Sequence, residues 1–314
     1  MTPQPSTLAV GTRVASFDIG SNTVIMLIAE RGAEGWHVVT DEAEITRVSE
    51  GLDKHGSLFR EGLERTAEAL IRFDELAQDF AVHHRIATGT APFRRAANGA
   101  EAAVELSLLI GTPIDVVSGE HEAELSLLAT RGSFPELSRA QIVDIGGAST
   151  ELIDAFPDGS HAVVSLDVGA VRLTERCVTA DPISASERAA LQTAIDEALS
   201  RASVRKFVPA PLLVGVAGTV TTLAALSLEM DEYEAERVHG HVLSRAEVGR
   251  IENALFALSL SQRKSLPGMP AKRADVLPAG AMLLRSVMDH LGATEVRVSD
   301  RGIRWGRLFE RYGV

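Results

Sequence analysis

Residues 14–29 read VASFDIGSNTVIMLIA, and this stretch decides the fold. Two apolar segments rich in β-branched residues flank a polar centre with one glycine, which predicts a β-hairpin with a functional turn. The pattern returns at residues 142–153, IVDIGGASTELI, where an apolar strand again leads into Asp-Ile-Gly, small hydroxyl residues and a second strand. The simplest interpretation is an internal duplication in which each half of the chain carries one such hairpin.

The segments between and after these hairpins alternate between helical and strand patterns. In the first half, helices are predicted at 60–80, 100–110 and 120–130, with short strands at 85–88 and 114–117. The second half is predicted to contain strands near 142–145, 150–155, 162–167, 212–216 and 295–299, helices near 169–177, 184–202, 219–229, 244–260 and 274–291, and a terminal helix. This alternation predicts mixed α/β sheets covered by helices. Gly, Ser and Pro cluster at 131–136, which predicts two domains, 1–130 and 131–314.

Composition excludes several classes of protein. The 314 residues include 31 Lys and Arg against 43 Asp and Glu, a formal charge of −12, so non-specific coating of nucleic acid is not expected. Cys177 is the single cysteine, which excludes an intramolecular disulfide and a Cys-based zinc cluster. The start, Met1–Thr7, lacks the features of a secretory signal, and no apolar run reaches the ~18 residues of a membrane span. We therefore expect a cytoplasmic protein with neither a nucleic-acid nor a membrane partner.

Three glycine-containing loops are suited to holding polyphosphate. Glycines let the backbone approach phosphate oxygens, successive N–H groups form an anion-binding nest, and a carboxylate at the strand end offers a hard oxygen ligand. The third loop, VAGTVTTL at 216–223, follows a predicted strand and opens a helix, so its N–H groups and helix dipole would face a phosphate. Each loop alone is weak evidence, but three in this order indicate a phosphate site.

Seven motifs run along the chain in order: DIGSNT at 18–23, GTAPFRRAAN at 89–98, SGEHEA at 118–123, DIGGASTEL at 144–152, GAVRLTE at 169–175, GTVTT at 218–222 and RAD at 273–275. They resemble the motifs of the exopolyphosphatase and guanosine pentaphosphate phosphohydrolase (Ppx/GppA) family, from Val14 to about Arg307. The resemblance implies two ribonuclease-H-like domains of the actin-like ATPase superfamily flanking a central cleft. It also implies Mg²⁺-dependent release of terminal phosphate from polyphosphate, guanosine pentaphosphate or both.

The resemblance also implies roles for single residues. Glu122 corresponds to the catalytic base, and Arg94 would neutralise charge on the transferring phosphoryl group. The neighbouring His121 is set aside as a base, because the family varies at that position. The implied Mg²⁺ ligands are Asp144, Glu151 and Asp18, and the implied phosphate-binding residues are Ser21, Asn22, Gly147, Ala148, Ser149, Gly218 and Thr219.

Two positions depart from the family pattern. Ala148 stands where a third glycine is usual, and a positive φ there would cost on the order of 1 kcal/mol, so we expect the turn to keep a negative φ. Trp305 stands where an acidic residue is common. It would either alter contacts in the cleft or only pack the last helix.

Net charge gives no long-range attraction for a polyanion, so any positive field must be local. The predicted cations lining one cleft are Arg94, Arg95, Lys272, Arg273, Arg301 and Arg304. Other functions stay open at this point: a kinase of the same superfamily, a non-catalytic or slow sensor of guanosine penta- or tetraphosphate, and a filament-forming role. The sequence is also compatible with a homodimer.

Overall fold

The structure of the protein is a computed structural model that describes residues 8–137, 139–201 and 212–314. Two sequence predictions concern residues outside these ranges. One is the prediction about a secretory signal at Met1–Thr7, and the other is the last residue of the helix predicted at 184–202. The strands are β1 (Arg13–Ile19), β2 (Thr23–Gly32), β3 (Gly35–Ile45), β4 (His84–Gly89), β5 (Ile114–Val116), β6 (Ala140–Ile145), β7 (Thr150–Ala155), β8 (His161–Leu166), β9 (Leu213–Val216), β10 (Val242–Ser244) and β11 (Glu295–Val298).

The α-helices cover both sheets or connect their strands. They are α1 (Leu52–His55), α2 (Arg60–Asp79), α3 (Ala91–Arg95), α4 (Gly99–Ile110), α5 (Gly119–Ser133), α6 (Ala170–Cys177), α7 (Ala185–Arg201), α8 (Ala217–Ser227), α9 (Ala235–Val238), α10 (Arg245–Ala257), α11 (Leu260–Lys264), α12 (Leu277–Leu291) and α13 (Ile303–Tyr312). Across the described ranges, no helix combines the length and the hydropathy needed to cross a membrane.

The chain divides into two compact units. Unit 1 is Met1–Gly132 with Gly302–Val314, and unit 2 is Ser133–Arg301. The boundary lies next to the predicted one, but α13 differs from the prediction by belonging to unit 1. Its Trp305 side chain packs in a buried cluster with Val14 of β1 and Leu27 of β2. These contacts join residues that are far apart in sequence. Local sequence patterns therefore did not predict that the last helix packs on the first unit.

Unit 1 is built on a five-stranded sheet in the order β3-β2-β1-β4-β5. The antiparallel β1–β2 hairpin predicted from residues 14–29 is confirmed, and β2 also pairs antiparallel with β3. β4 runs parallel to β1, and β5 runs parallel to β4. Side chains that alternate along β1 enter different clusters: Phe17 and Ile19 pack in one with residues of α2 and α4, while Val14 packs with α13.

Unit 2 repeats this plan. Its six-stranded sheet has the order β8-β7-β6-β9-β11-β10, so its first five strands match the order of unit 1, with β10 added at the edge. β6–β7–β8 form an antiparallel meander, and β9 and β11 run parallel to β6. The predicted duplication and the predicted ribonuclease-H-like fold of each half are therefore confirmed.

Several elements lack the long pattern that predicts structure from sequence. No residue bounds were predicted for β3, whose side chains are half-buried or exposed and give little hydrophobic signal. β10 and the short helices α1, α3, α9 and α11 were not predicted, because each spans only three to five residues. These elements are placed by the surrounding tertiary structure rather than by local propensity.

Trp305 is 2% exposed, so its departure from the family pattern serves to pack the last helix. We expect Trp305→Ala to lower the free energy of unfolding by roughly 3–5 kcal/mol, because it removes a large buried ring and leaves a cavity. Arg311→Ala, on the exposed face of α13, is the matched control and should change stability by about 0.5 kcal/mol or less. Urea denaturation of both variants measures the difference. Equal small effects would contradict this packing role.

Candidate active site

The turn between β1 and β2 holds the first predicted phosphate loop. The Gly20 backbone N–H donates to the Thr23 carbonyl at 3.0 Å and closes the turn. At its tip, the Ser21 carbonyl accepts from the backbone and hydroxyl of Ser49, and the Asn22 carbonyl accepts from the backbone N–H groups of Thr46 and Arg47. The loop is thus anchored to the segment after β3. Asn22 Oδ1 is buried and has no hydrogen-bond partner in the described part of the chain, so it is an acceptor suited to a donor or a cation.

The carboxyl ends of three parallel strands place the other predicted groups of unit 1. Asp18 lies near the end of β1, in register with Ile25 of β2 and Thr88 of β4. Arg94 follows the end of β4 on α3, and Glu122 follows the end of β5 on α5. Since parallel strands end at one edge of a sheet, these groups are delivered to the same edge of unit 1.

Arg94 and Glu122 form an ion pair. Arg94 Nη1 donates to Glu122 Oε2 at 2.7 Å and to the Val117 carbonyl at 2.7 Å. Glu122 is 7% exposed, and its backbone N–H donates to the Ser118 carbonyl in the first turn of α5. The structure therefore brings together the two residues that the sequence predicted as catalytic. Hydrogen bonds between ionised partners at this distance are about twice as strong as neutral ones.

The second predicted loop, in unit 2, has the same construction as the first. The Gly146 N–H donates to the Ser149 carbonyl at 3.1 Å, as Gly20 does to Thr23. Asp144 of β6 is directly opposite Glu151 of β7 in the antiparallel register, and both side chains are buried. Ser165 of β8 donates its hydroxyl to Glu151 Oε1 at 2.8 Å and orients that carboxylate.

The loop from Gly147 to Ser149 packs against the start of α6. The Gly147 carbonyl accepts from the backbone N–H groups of Val171 and Arg172, both at 3.0 Å. A Cβ added to Gly169 would lie 2.5 Å from the Gly147 carbonyl, so glycine is required at 169 for this close approach. Ala148 is buried and is not among the positive-φ residues, which confirms that the turn accepts alanine with a negative φ.

The third predicted loop follows β9, which runs parallel to β6 with Val216 in register with Asp144. Ala217 has φ +67°, a left-handed conformation that costs an L-residue roughly 1–3 kcal/mol and is concentrated at functional sites. The guanidinium of Arg273 occupies the space that a Cβ on Gly218 would fill. Desolvation lowers the pKa of Arg273, while the nearby Tyr233 acts in the opposite direction. Thr219 packs against Gly280 of α12.

The predicted site residues divide between the units. Asp18, Ser21, Asn22, Arg94 and Glu122 belong to unit 1. The others, Asp144, Gly147, Ala148, Ser149, Glu151, Gly218 and Thr219, belong to unit 2. Of the three predicted metal ligands, Asp144 and Glu151 are neighbours. Within the described ranges, the structure contains no group of three or more His, Cys, Asp or Glu side chains placed to hold a metal ion.

The donor chemistry of the neighbouring pair nevertheless fits Mg²⁺. Two carboxylates on the same face of a hairpin repel one another, and a hard divalent cation relieves that repulsion.

Other cations named from the sequence have structural roles. Arg304 binds Asp41 in a fork, with Nε 2.8 Å and Nη2 2.6 Å from carboxylate oxygens, and is 6% exposed. This buried pair gives Arg304 a structural role, because it holds α13 on β3. Arg95 pairs with Asp53. His121, the alternative base that was set aside, pairs with Glu310 of α13 at 2.6 Å. Sequence alone did not reveal these partners, because they lie far along the chain.

The chain is similar to known proteins over most of its length. The chain is 34% identical to Exopolyphosphatase 2 of Mycobacterium tuberculosis (strain H37Rv) over 93% of this chain and 96% of that protein. It is 28% identical to the Guanosine-5'-triphosphate,3'-diphosphate pyrophosphatase of Vibrio cholerae serotype O1 over 94% of this chain, but it spans only 58% of that protein.

Solved structures are also similar. The crystal structure of the Aquifex aeolicus member of the Ppx/GppA protein family has a TM-score of 0.79 and 29% identity, covering 95% of this chain and 96% of that one. An exopolyphosphatase from Cytophaga hutchinsonii has a TM-score of 0.86 and 25% identity, covering 95% and 97%. The model of the Ppx/GppA phosphatase family matches residues 27–313, so this chain belongs to that family.

Proposed function

We propose that this protein is a phosphoanhydride hydrolase that releases the terminal phosphate from inorganic polyphosphate, guanosine pentaphosphate or both. The names of its relatives, an exopolyphosphatase and a guanosine pentaphosphate pyrophosphatase, support these substrates. The observation that carries the proposal is the ion pair between Arg94 and Glu122 at the carboxyl edge of the unit 1 sheet. It joins a proton acceptor to a fixed positive charge, which are the two groups that this hydrolysis needs.

Hydrolysis of a phosphoanhydride requires an in-line water, a group that orients it and takes its proton, and positive charge near the non-bridging oxygens. In our proposal, Glu122 accepts the proton as the water oxygen bonds to the terminal phosphorus. The bridging P–O bond breaks, and orthophosphate leaves a chain shortened by one phosphate. Arg94 would neutralise charge that develops on the transferring group, and its bond to the Val117 carbonyl fixes its position.

The loops of unit 2 would hold phosphate. Backbone N–H groups from Gly147 to Ser149 and at Gly218 and Thr219 belong to turns that favour anions. The guanidinium of Arg273 lies against Gly218 and adds positive charge to the third loop. In unit 1, the Ser21 and Asn22 turn would have the same role.

We further propose that Asp144 and Glu151 hold Mg²⁺, with Asp18 as the predicted third carboxylate. When bound, Mg²⁺ would neutralise phosphate charge. The contact from Ser165 to Glu151 supports this assignment, because a hydrogen-bonded second shell orients a ligating carboxylate. A cytoplasmic location and a homodimer complete the proposal. The single cysteine supports the first, and light scattering after size exclusion tests the second.

The deciding experiment measures phosphate release with Mg²⁺ from polyphosphates of several lengths, guanosine pentaphosphate and ATP in parallel. The proposal expects release from at least one of the first two classes of substrate. Transfer of phosphate from ATP to an organic acceptor would instead indicate a kinase. Tight binding of guanosine pentaphosphate without turnover would indicate a sensor.

Glu122→Gln should lower kcat by about 10² to 10⁴ with little change in substrate affinity, because the amide keeps the shape but cannot accept a proton. Glu120→Gln makes the same chemical change at an exposed position in the first turn of the same helix and should leave kcat unaltered. Steady-state kinetics across pH measure both. If Glu122→Gln keeps more than roughly a tenth of the wild-type kcat with an unaltered pH profile, another group is the base.

Asp144→Asn and Glu151→Gln should each raise the Mg²⁺ concentration needed for half-maximal activity, because a neutral amide is a poorer ligand for a hard cation. Asp154→Asn is the matched control, since this buried carboxylate of β7 pairs with Arg139 at 3.3 Å instead. Thermal unfolding without metal identifies variants that fail to fold. A folded variant with the wild-type Mg²⁺ titration would remove its residue from the metal site.

Arg94→Ala should lower kcat/KM by roughly a hundredfold, since it removes a preorganised donor near the reacting phosphoryl group. Arg95→Ala, whose guanidinium pairs with Asp53, is the neighbouring control and should change kcat/KM little. The wild-type kcat/KM should also fall as salt rises, because charge pairings are screened over ~8 Å at physiological ionic strength. Wild-type values for Arg94→Ala on both polyphosphate and guanosine pentaphosphate would contradict its role.

A further inference from the structure

Unit 2 contains an open cavity of about 430 Å³ between α7, α10 and α12. One face of each helix lines it, and none of the residues predicted for the active site does. Small side chains make the space, since Ala185 and Ala189 lie one turn apart on α7 and Gly249 faces them from α10. Met282 of α12 is the buried apolar residue of the lining.

Three arginines line this cavity, one from each helix. Glu252, which is 1% exposed, accepts from Arg188 at 2.9 Å and from Arg285 at 2.5 Å. Asp289 accepts from Arg245 through two bonds of 2.7 and 2.8 Å and from Arg285 at 2.8 Å. Three guanidinium groups thus meet two carboxylates. The cluster carries a net positive charge within a protein whose overall charge is −12.

These ion pairs fix the arginines without using all of their donors. Arg188 donates through Nη2 to Glu252 and Asn253, and Arg245 donates through Nε and Nη2 to Asp289. The hydrogen bonds of the described residues use neither Nε nor Nη1 of Arg188, and they do not use Nη1 of Arg245. Arg188 is also held over the ring of Phe256 at 4.6 Å. Fixed guanidinium groups lose little side-chain entropy when they bind a further anion.

Helix direction adds to the positive potential. Ala185 and Arg245 are the first residues of α7 and α10 and both line the cavity, together with residues farther along each helix, Gln192 on α7 and Glu252 on α10. The N-terminus of a helix carries a partial positive charge that favours anions. Arg188 and Arg245 lie in these first turns, where the dipoles act on the cavity, and Glu187 and Glu247 in the same turns offset part of that positive charge.

We propose that this cavity binds a small phosphate monoester with a hydroxyl-rich body, a sugar phosphate. The donors that remain on Arg188 and Arg245 can each form a charge-assisted hydrogen bond with the tetrahedral oxyanion. The volume lies in the range of small-molecule sites, ~300–1,000 Å³, and exceeds the need of a bare phosphate ion. The Asn253 amide lines the cavity and accepts from Arg188 through Oδ1, and its NH₂ group can donate to a hydroxyl group of the ligand. This site is separate from the proposed hydrolysis and does not depend on it.

Calorimetric titration of the whole chain with ribose 5-phosphate, orthophosphate and ribose tests the proposal. Ribose 5-phosphate should bind at one site, orthophosphate roughly tenfold or more weakly, and ribose not measurably. Equal affinity for orthophosphate would assign the cavity to the free ion and overturn the monoester proposal. Undetectable binding of all three would overturn the site itself.

Variants locate the binding. Arg188→Gln and Arg245→Gln should each weaken ribose 5-phosphate binding roughly tenfold or more, because each removes a charged donor. Arg250→Gln, on the exposed face of α10, is the matched control and should keep wild-type affinity.

The ion pair of Arg245 lies at the surface, so the Arg245→Gln variant should fold normally. This holds even if Arg188→Gln disturbs the buried Glu252. Wild-type affinity in Arg245→Gln and Arg188→Gln would overturn the proposal. Phosphate release by Arg245→Gln should equal that of the wild type, which keeps this test distinct from a failure of the proposed hydrolysis.

Discussion

The antiparallel pairing of two strands around a four-residue loop is the constraint on which both halves of the protein depend. In each hairpin, a glycine N–H bonds to the carbonyl three residues later, Gly20 to Thr23 and Gly146 to Ser149. This bond sets the register, and the register sets which face each side chain occupies. It places Asp18 near the end of β1 and sets Asp144 directly opposite Glu151. The positions of the carboxylates follow from the backbone of the hairpins.

The parallel strands added to each hairpin extend that order to the other functional groups. β4 and β5 run parallel to β1, so the helices that follow them, α3 and α5, begin at the edge where the first loop lies. Arg94 and Glu122 are separated along the chain, and the adjacency of β4 and β5 brings them to 2.7 Å. The ion pair is therefore a consequence of strand order. Any side chains in those two places would be neighbours, and this sequence supplies opposite charges there.

Strong local patterns explain which features could be predicted from sequence. Both hairpins, the long helices and the repeated order of strands have apolar periodicity over many residues, and the motifs identify Glu122 and Arg94 by type. Three features lacked such signals: β3 has no apolar alternation, α13 joins unit 1 only through tertiary packing, and Arg304 finds Asp41 across most of the chain. A partner far along the chain leaves no trace in composition or spacing. The contacts of α13 and the pairing of Arg304 with Asp41 are therefore known only from the structure.

The arginine partners also explain how an acidic protein can hold local positive charge. Arg304 and Arg95 each face a carboxylate and are neutralised, so they add little field to their surroundings. A net positive region arises where guanidinium groups outnumber nearby carboxylates or where backbone N–H groups add to them. The cavity between α7, α10 and α12 meets the first condition, and the Gly218 loop with Arg273 meets the second. Both regions depend on which charged and N–H groups lie close together in the fold. The net charge of the protein therefore does not predict where it favours anions.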